Sequence, residues 1–338
     1  MNTNIKKINL QLFAAGDVVN ATTSEGLSAE MKTFYDKTLI TLASPYLVHD
    51  QFGQKRDIPQ NGGKIIEFRK FSSLPKALTP ITEGVTPTGN RLNVSTKTAT
   101  IEQYGDYIEQ TDVLELTSVD NTIVEATKQL ASQAGLTMDT VVRNELVGGT
   151  NVMYCPKVVN GTETTVTLRG EIDKTSLLRV KDVFRASAEL KAMNAPKIDG
   201  YYVGIIHPYV AYDLMQEAGN QWMEVQKYTT PENVLKGEIG SLGGVRFVES
   251  TEAKIWQEGK DNCAVFATLI LGADAYGVTS IGGKGIEHIV KQTGYGNDPL
   301  NQRSSIGWKG FKTAKRLVEE YMIRIESGST FSGSAKTN

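Results

Sequence analysis

This chain of 338 residues has little of the material from which catalytic and targeting machinery is built. Its two cysteines, Cys155 and Cys263, are isolated, with no CxxC and no histidine at ligand spacing. That excludes a disulfide scaffold and a cysteine-based zinc site. Two reduced structural thiols is the reading, with a single bridge, within or between subunits, as the alternative. The three histidines, His49, His207 and His288, are far apart and form no HxH or HxxxH pair, so no metal ligands are expected. No stretch approaches the roughly 18 consecutive apolar residues of a membrane helix. An excess of one charge is missing too: 36 Lys and Arg face 38 Asp and Glu, a net charge of −2. That argues against a conventional basic nucleic-acid binder. Lys6 and Lys7 precede an apolar stretch, but Asn9 and Gln11 interrupt it, and it is too short for a secretory signal.

What remains is ordinary globular composition, 40% hydrophobic and 22% charged, in a chain long enough for two domains or one elaborated domain. Residues 14–29 are small and polar and read as an arm that cannot form a core alone. A helical pattern follows over 29–48, with Pro45 near its end. Residues 64–71 alternate as a strand after the Gly62-Gly63 turn. Then 72–90 carry Pro75, Pro80 and Pro87 with Gly84 and Gly89, which forbids both a helix and a central strand. From Arg91 the chain returns to β-rich composition. The pattern predicts a long two-stranded arm projecting from the body, with a surface insertion as the alternative.

The longest periodic segment is 118–147. Val119, Ile123, Ala126, Leu130, Ala134, Met138, Val141 and Leu146 form one apolar stripe, Ser118 or Asp120 caps the start, and Gly148-Gly149 ends it. A helix of that span is about 45 Å long, with a bend expected at Gly135. Lacking a strict heptad, it reads as a spine across a thin body rather than a coiled coil. Beyond it the chain reads α+β. Strands are expected at 151–159, 164–168, 201–206, 245–249, 264–271, 286–292 and 317–325. Helices are expected at 174–193 and after Pro208, and a disordered tail from Gly328.

Three features invite chemistry. His207-Pro208 follows an apolar strand, but no GxSxG or cysteine nucleophile accompanies it, so a satisfied corner histidine is expected. Gly237–Gly244 and Ser280–Gly285 are glycine-rich. Neither has the Lys-Ser/Thr of a P-loop, and tight turns between strands are expected over phosphate cradles. Arg303, Trp308, Lys309, Phe311 and Lys312, with Lys315 and Arg316, form a basic-aromatic patch. It suits a contact between subunits, with nucleic acid as the alternative.

The run Asp298–Ser327, DPLNQRSSIGWKGFKTAKRLVEEYMIRIES, resembles the closing segment of tailed-bacteriophage major capsid proteins of the N4-like branch. Tyr202–Leu214 (YVGIIHPYVAYDL), Gly237–Ser250 (GEIGSLGGVRFVES) and Leu271–Val278 (LGADAYGV) resemble the same family in the same order. The resemblance implies the Hong Kong-type phage capsid fold. An N-terminal arm would occupy 1–50, an extended loop 51–113, and the spine helix with the first part of a peripheral domain 114–195. An axial domain would occupy 196–285, and the return of the peripheral domain with a C-terminal tail 286–338. It implies a non-enzymatic shell subunit, in hexamers and pentamers of an icosahedral phage head around double-stranded DNA. Assembly would take place in the host cytoplasm with portal and a separate scaffolding protein as partners, and without membrane, metal or cofactor. Leu74, Leu78, Ile81 and Val85 would bury against a neighbouring subunit. The alternatives are an encapsulin-type compartment shell and a soluble α/β enzyme using His207 and the turn near residue 240.

Overall fold

The structure, a computed structural model, describes residues 47–59, 61–71, 74–118, 122–159, 161–224, 234–235, 237–281, 285–296 and 298–338. The arm expected before residue 47 and the helix over 29–48 lie outside the described residues, apart from Leu47 and Val48.

Short β1 (Gln54–Lys55) leads to a hairpin of β2 (Ile65–Phe71) and β3 (Val94–Thr100), paired from Ile65 opposite Thr100 to Phe71 opposite Val94. β4 (Glu102–Thr111) departs from that pair and joins the body. Segment 51–113 is therefore divided between a projecting limb and a body strand. Thr111 Oγ1 accepts from Leu114 N at 3.3 Å, capping α1 (Asp112–Thr117). Helix α2 (Thr122–Val147) follows and runs unbroken across Gly135. Its 26 residues span about 39 Å at 1.5 Å per residue. Ala126, Leu130, Ala134, Met138, Val142 and Leu146 make its buried stripe.

The chain continues through β5 (Val152–Tyr154), the small pair β6 (Lys157–Val159) and β7 (Thr162–Thr164), and α3 (Val180–Ala192). The helix expected from Lys174 begins only at Val180. The Asp182 carboxylate accepts from Arg179 N at 3.2 Å, and Leu177 makes a strand bridge to Gly328 instead. Of the strand expected over 164–168, only Thr164 is in one, at the end of β7. Next come β8 (Tyr202–Ile206), α4 (Pro208–Ala218), β9 (Glu238–Leu242), β10 (Val245–Glu249), β11 (Ile255–Trp256) and β12 (Val265–Leu271). Four strands close the chain: β13 (Tyr276–Thr279), β14 (Ile286–Lys291), β15 (Arg303–Arg316) and β16 (Met322–Ser327). A 3-10 turn at Glu319–Tyr321 delays the last of these beyond its expected start at Leu317.

Two sheets organise the body. One has the order β1-β13-β15-β14, with β4 on the other side of β15; the second runs β5-β16-β12-β8-β10-β9, with β11 beside β12. The second sheet is covered on both faces. Phe247, Phe266, Ile270 and Ile323 pack with α3 and α4, while Val203, Ile205, Leu269 and Leu271 pack with the end of α2. Two-sided burial explains why β12, VFATLIL, reads as a continuous apolar run. The first sheet lies along the earlier part of α2, where Ile306 and Trp308 meet Leu130, Ala134 and Met138. A Cβ at Gly310 would stand 2.4 Å from Met138 Cε and 2.7 Å from the Gly285 backbone oxygen, so the bare glycine lets the strand, its neighbour and the helix approach closely.

The tail expected to be disordered is docked instead. Ser329 Oγ donates to Asp213 Oδ2 at 2.7 Å, Thr330 N to the same oxygen at 2.9 Å, and Thr330 Oγ1 to Oδ1 at 2.5 Å. Phe331 stacks on Tyr209, with centroids 4.7 Å apart. A Ser/Thr-rich segment supplies no core of its own, but it supplies donors to a buried carboxylate. Asp213→Ala leaves those donors without their acceptor and is expected to cost about 3 kcal/mol. Asp213→Asn, which keeps one acceptor oxygen, is expected to cost less. The urea midpoint, at unchanged m, measures both.

Candidate assembly surface

Beyond its root, the limb is built from residues that the described residues of its own body do not cover. Between β2 and β3 the chain from Leu74 to Asn93 has no strand partner, and its large apolar side chains stand in solvent: Leu74 is 55% exposed, Leu78 82%, Ile81 77%, Val85 61% and Leu92 59%. Three prolines leave the backbone extended, and Gly84 at φ +79° turns it where Val85 N donates to Thr82 O at 3.1 Å. Single exposed apolar residues are common on surfaces; here five stand exposed along one projecting segment. At the root of the limb Phe68, Ala99 and Ile101 are buried. Beside the root lies a polar cleft of about 550 Å³ lined by Thr98, Thr100, Glu102, Tyr104, Asn144, Glu145, Thr313 and Lys315. Burial, with the Glu102 carboxylate at hydrogen-bonding distance, pushes the Tyr104 hydroxyl up to about 12.

The basic-aromatic patch proves to be part of β15, and much of it is satisfied within the chain. Trp308, expected at a subunit contact, is only 3% exposed; it packs on α2 and donates its indole N–H to Gln133 Oε1 at 3.1 Å. Lys309 pairs with Glu287 at 3.3 Å, Lys312 with Asp50, and Lys315 with Glu145 at 3.5 Å. Phe311 is half-buried, and Arg303 is exposed at the start of the strand. The apolar positions of the limb and the patch on β15 thus differ in kind: the first is uncovered, the second largely occupied.

The sites that invited chemistry resolve likewise. His207 caps α4, its Nδ1 accepting from Tyr209 N at 3.2 Å, and burial pushes its imidazole down to about 4. Gly237–Gly244 supplies β9 and the turn into β10, so its backbone N–H groups are drawn into a ladder rather than a phosphate cradle. A carboxylate already sits there: the buried Glu238 accepts from Arg246 Nε at 2.6 Å. The Ser280–Gly285 turn lies outside the described residues at 282–284. Cys155 is buried, with its thiol pushed up by that burial, and both cysteines are free. Among the described residues no group of three or more His, Cys, Asp or Glu side chains is placed to hold a metal, and no helix is long and apolar enough to cross a membrane.

Two buried polar clusters gave no signal in the sequence. His49 donates its backbone N–H to Asp139 Oδ1 at 2.7 Å, and its Nδ1 lies 2.6 Å from Oδ2, pinning the start of the described chain to α2. Glu326 accepts from Arg169 Nε at 2.7 Å and from Arg324 Nε at 2.8 Å. Trp256 lies beneath both guanidiniums, 3.7 Å from Arg169 and 5.7 Å from Arg324.

No family model matches the chain, and no curated protein matches it in sequence. Solved structures do. The chain is similar to the capsid of Ralstonia phage GP4 at 15% identity, over 83% of this chain and 88% of that one, with a TM-score of 0.65. It is similar to the capsid asymmetric unit of cyanophage Pam1 at 12% identity, over 86% and 93%, with a TM-score of 0.63. It is similar to the capsid of cyanophage P-SCSP1u at 16% identity, over 84% and 88%, with a TM-score of 0.60. The chain therefore has the phage capsid fold that its sequence segments implied.

The depressed imidazole makes His207 a source of acid sensitivity. The unfolded histidine takes up its proton near pH 6.5, the folded one only near 4, so stability is full above 6.5 and falls as pH drops between those values. The loss is expected to reach about 3 kcal/mol. Chemical denaturation at pH 7 and pH 4 is expected to show a smaller loss in His207→Asn, which keeps a cap acceptor and removes the titration.

Proposed function

We propose that this protein is a tailed-phage major capsid protein, of the N4-like branch by its sequence segments, a structural subunit that assembles with copies of itself into a shell. The observation that carries this is the limb, whose Leu74, Leu78, Ile81 and Val85 find no cover among the described residues of their own subunit. Burying such side chains on an adjacent copy supplies the favourable term of association. The prolines reduce the freedom lost when the limb docks. In this reading hexamers and pentamers close an icosahedral head around double-stranded DNA, in the virion. Assembly takes place in the host cytoplasm, with portal and a separate scaffolding protein. Packaged DNA meets the inner face without sequence preference. The expected N-terminal arm, extended loop, spine, peripheral and axial parts fit this role. An encapsulin-type shell shares the same physics and differs in its cargo.

Size-exclusion chromatography with negative-stain microscopy tests the proposal. The intact chain, co-expressed with its scaffold, is expected to give closed particles. Deleting 74–90 is expected to leave a folded subunit that no longer assembles, whereas His207→Ala, away from the limb, assembles near-normally. A chain that stays monomeric at all concentrations, or assembles as well without the limb, overturns the reading.

A further inference from the structure

The limb touches its body through a narrow root. β2 and β3 hydrogen-bond to each other and join neither of the larger sheets. Of the seven residues of β2, Phe68 alone is buried. Its ring lies against Gly277 in the middle of β13: a Cβ there would stand 2.4 Å from Phe68 Cε1 and 2.6 Å from Cζ. Gly277 belongs to the LGADAYGV segment, and no positive φ requires glycine at this position. The requirement is space for the ring. Around this seat the restraints are light. Lys70 Nζ lies 5.5 Å over the Tyr321 ring, Ala99 and Ile101 close the β3 side, and the polar cleft separates Thr98 and Thr100 from Asn144 and Lys315 on the body.

We propose that the seat of Phe68 on Gly277 is the pivot that sets the direction of the limb, so that both are positioning residues for its docking on a second copy; the docking itself rests on the function proposed above. A stiff two-stranded ribbon held at one buried aromatic contact transmits any tilt at the root to its far end. The tilt then decides where Leu78 and Ile81 meet the neighbour. A methyl group at 277 lifts the ring from its seat, and removing the ring leaves the ribbon free to swing across the cleft.

The test is a nitroxide pair at Val94→Cys on the limb and Glu125→Cys on α2, in a Cys263→Ser background, with separations measured on the free full-length subunit. The starting protein is expected to give one narrow separation. Gly277→Ala is expected to displace it, Phe68→Ala to lose its narrowness, and the exposed control Glu67→Ala to leave it unchanged. In Phe68→Leu/Gly277→Ala the added methyl takes up volume the ring vacates, so a narrow separation is expected to return; its failure to return overturns the steric seat. Should Phe68→Ala fail to fold, Phe68→Leu alone replaces it, with an intermediate loss of narrowness expected. Separations unaltered by Gly277→Ala and the Phe68 variants overturn the inference, whatever the protein assembles into. Altered separations in a chain that never multimerises leave the pivot standing and remove the capsid reading. When both hold, Gly277→Ala is expected to yield mixed particle sizes or open sheets.

Discussion

One helix serves two sheets. The earlier part of α2 packs on β15 through Leu130, Ala134 and Met138, and its last turns pack on the second sheet through Val142 and Leu146. The two sheets therefore hold their relation to the spine only while that helix keeps its place along its own axis. Its C-terminus is where that is secured. Arg316, ending β15, donates to Glu145 O at 2.6 Å, while Arg324 on β16 donates to Val147 O and, at 3.0 Å, to Gly149 O. Two cations from different sheets thus satisfy carbonyls that a helix end leaves bare, and each complements the negative end of its dipole. Glu326, itself paired with Arg169, then holds Arg324 in turn. Removing one member of so buried a cluster leaves an unpaired charge, the costly case for ions inside a protein.

A body organised in this way buries its own apolar surface well, which makes the limb stand apart. Its strands show almost uninterrupted exposure except at the root, and its irregular end exposes five large apolar side chains, Leu74, Leu78, Ile81, Val85 and Leu92. Those exposed side chains gain no burial among the described residues of the subunit. In the proposed assembly, burial on a neighbour would give it a physical purpose, with the spine as the base from which it projects. The same division explains why the basic residues of β15 are less available than their density suggests: Asp50, Glu145 and Glu287 take Lys312, Lys315 and Lys309.

Legibility in the sequence followed the strength of the contrast. α2 was readable because one stripe of apolar residues faces both sheets, and β8, β10 and β12 because they are buried on both faces. β15 was not. The positions it turns toward α2 include Ile306, Trp308 and Gly310, and the opposite ones include Gly307, Lys309 and Phe311, so neither row reads as an apolar face. The tail failed for a related reason: its order comes from an acceptor, Asp213, 116 residues from Ser329, rather than from any pattern of its own. The limb was legible chiefly through what it excludes, since proline at that density rules out a helix and a central strand in any tertiary setting.

By itself the sequence determined the elements with a strong period, the unpaired proline segment, and the ordered run of segments that resemble capsid proteins. Those are local properties, set by backbone sterics and by apolar spacing along one element. Only the tertiary structure decided which polar groups are buried together, because a charge finds its partner through space. His49 and Asp139 are 90 residues apart, and Arg169 and Glu326 are 157. It also decided that Trp308 faces its own helix and Gly277 faces Phe68. Each depends on two distant surfaces meeting at a distance that no single stretch of chain specifies.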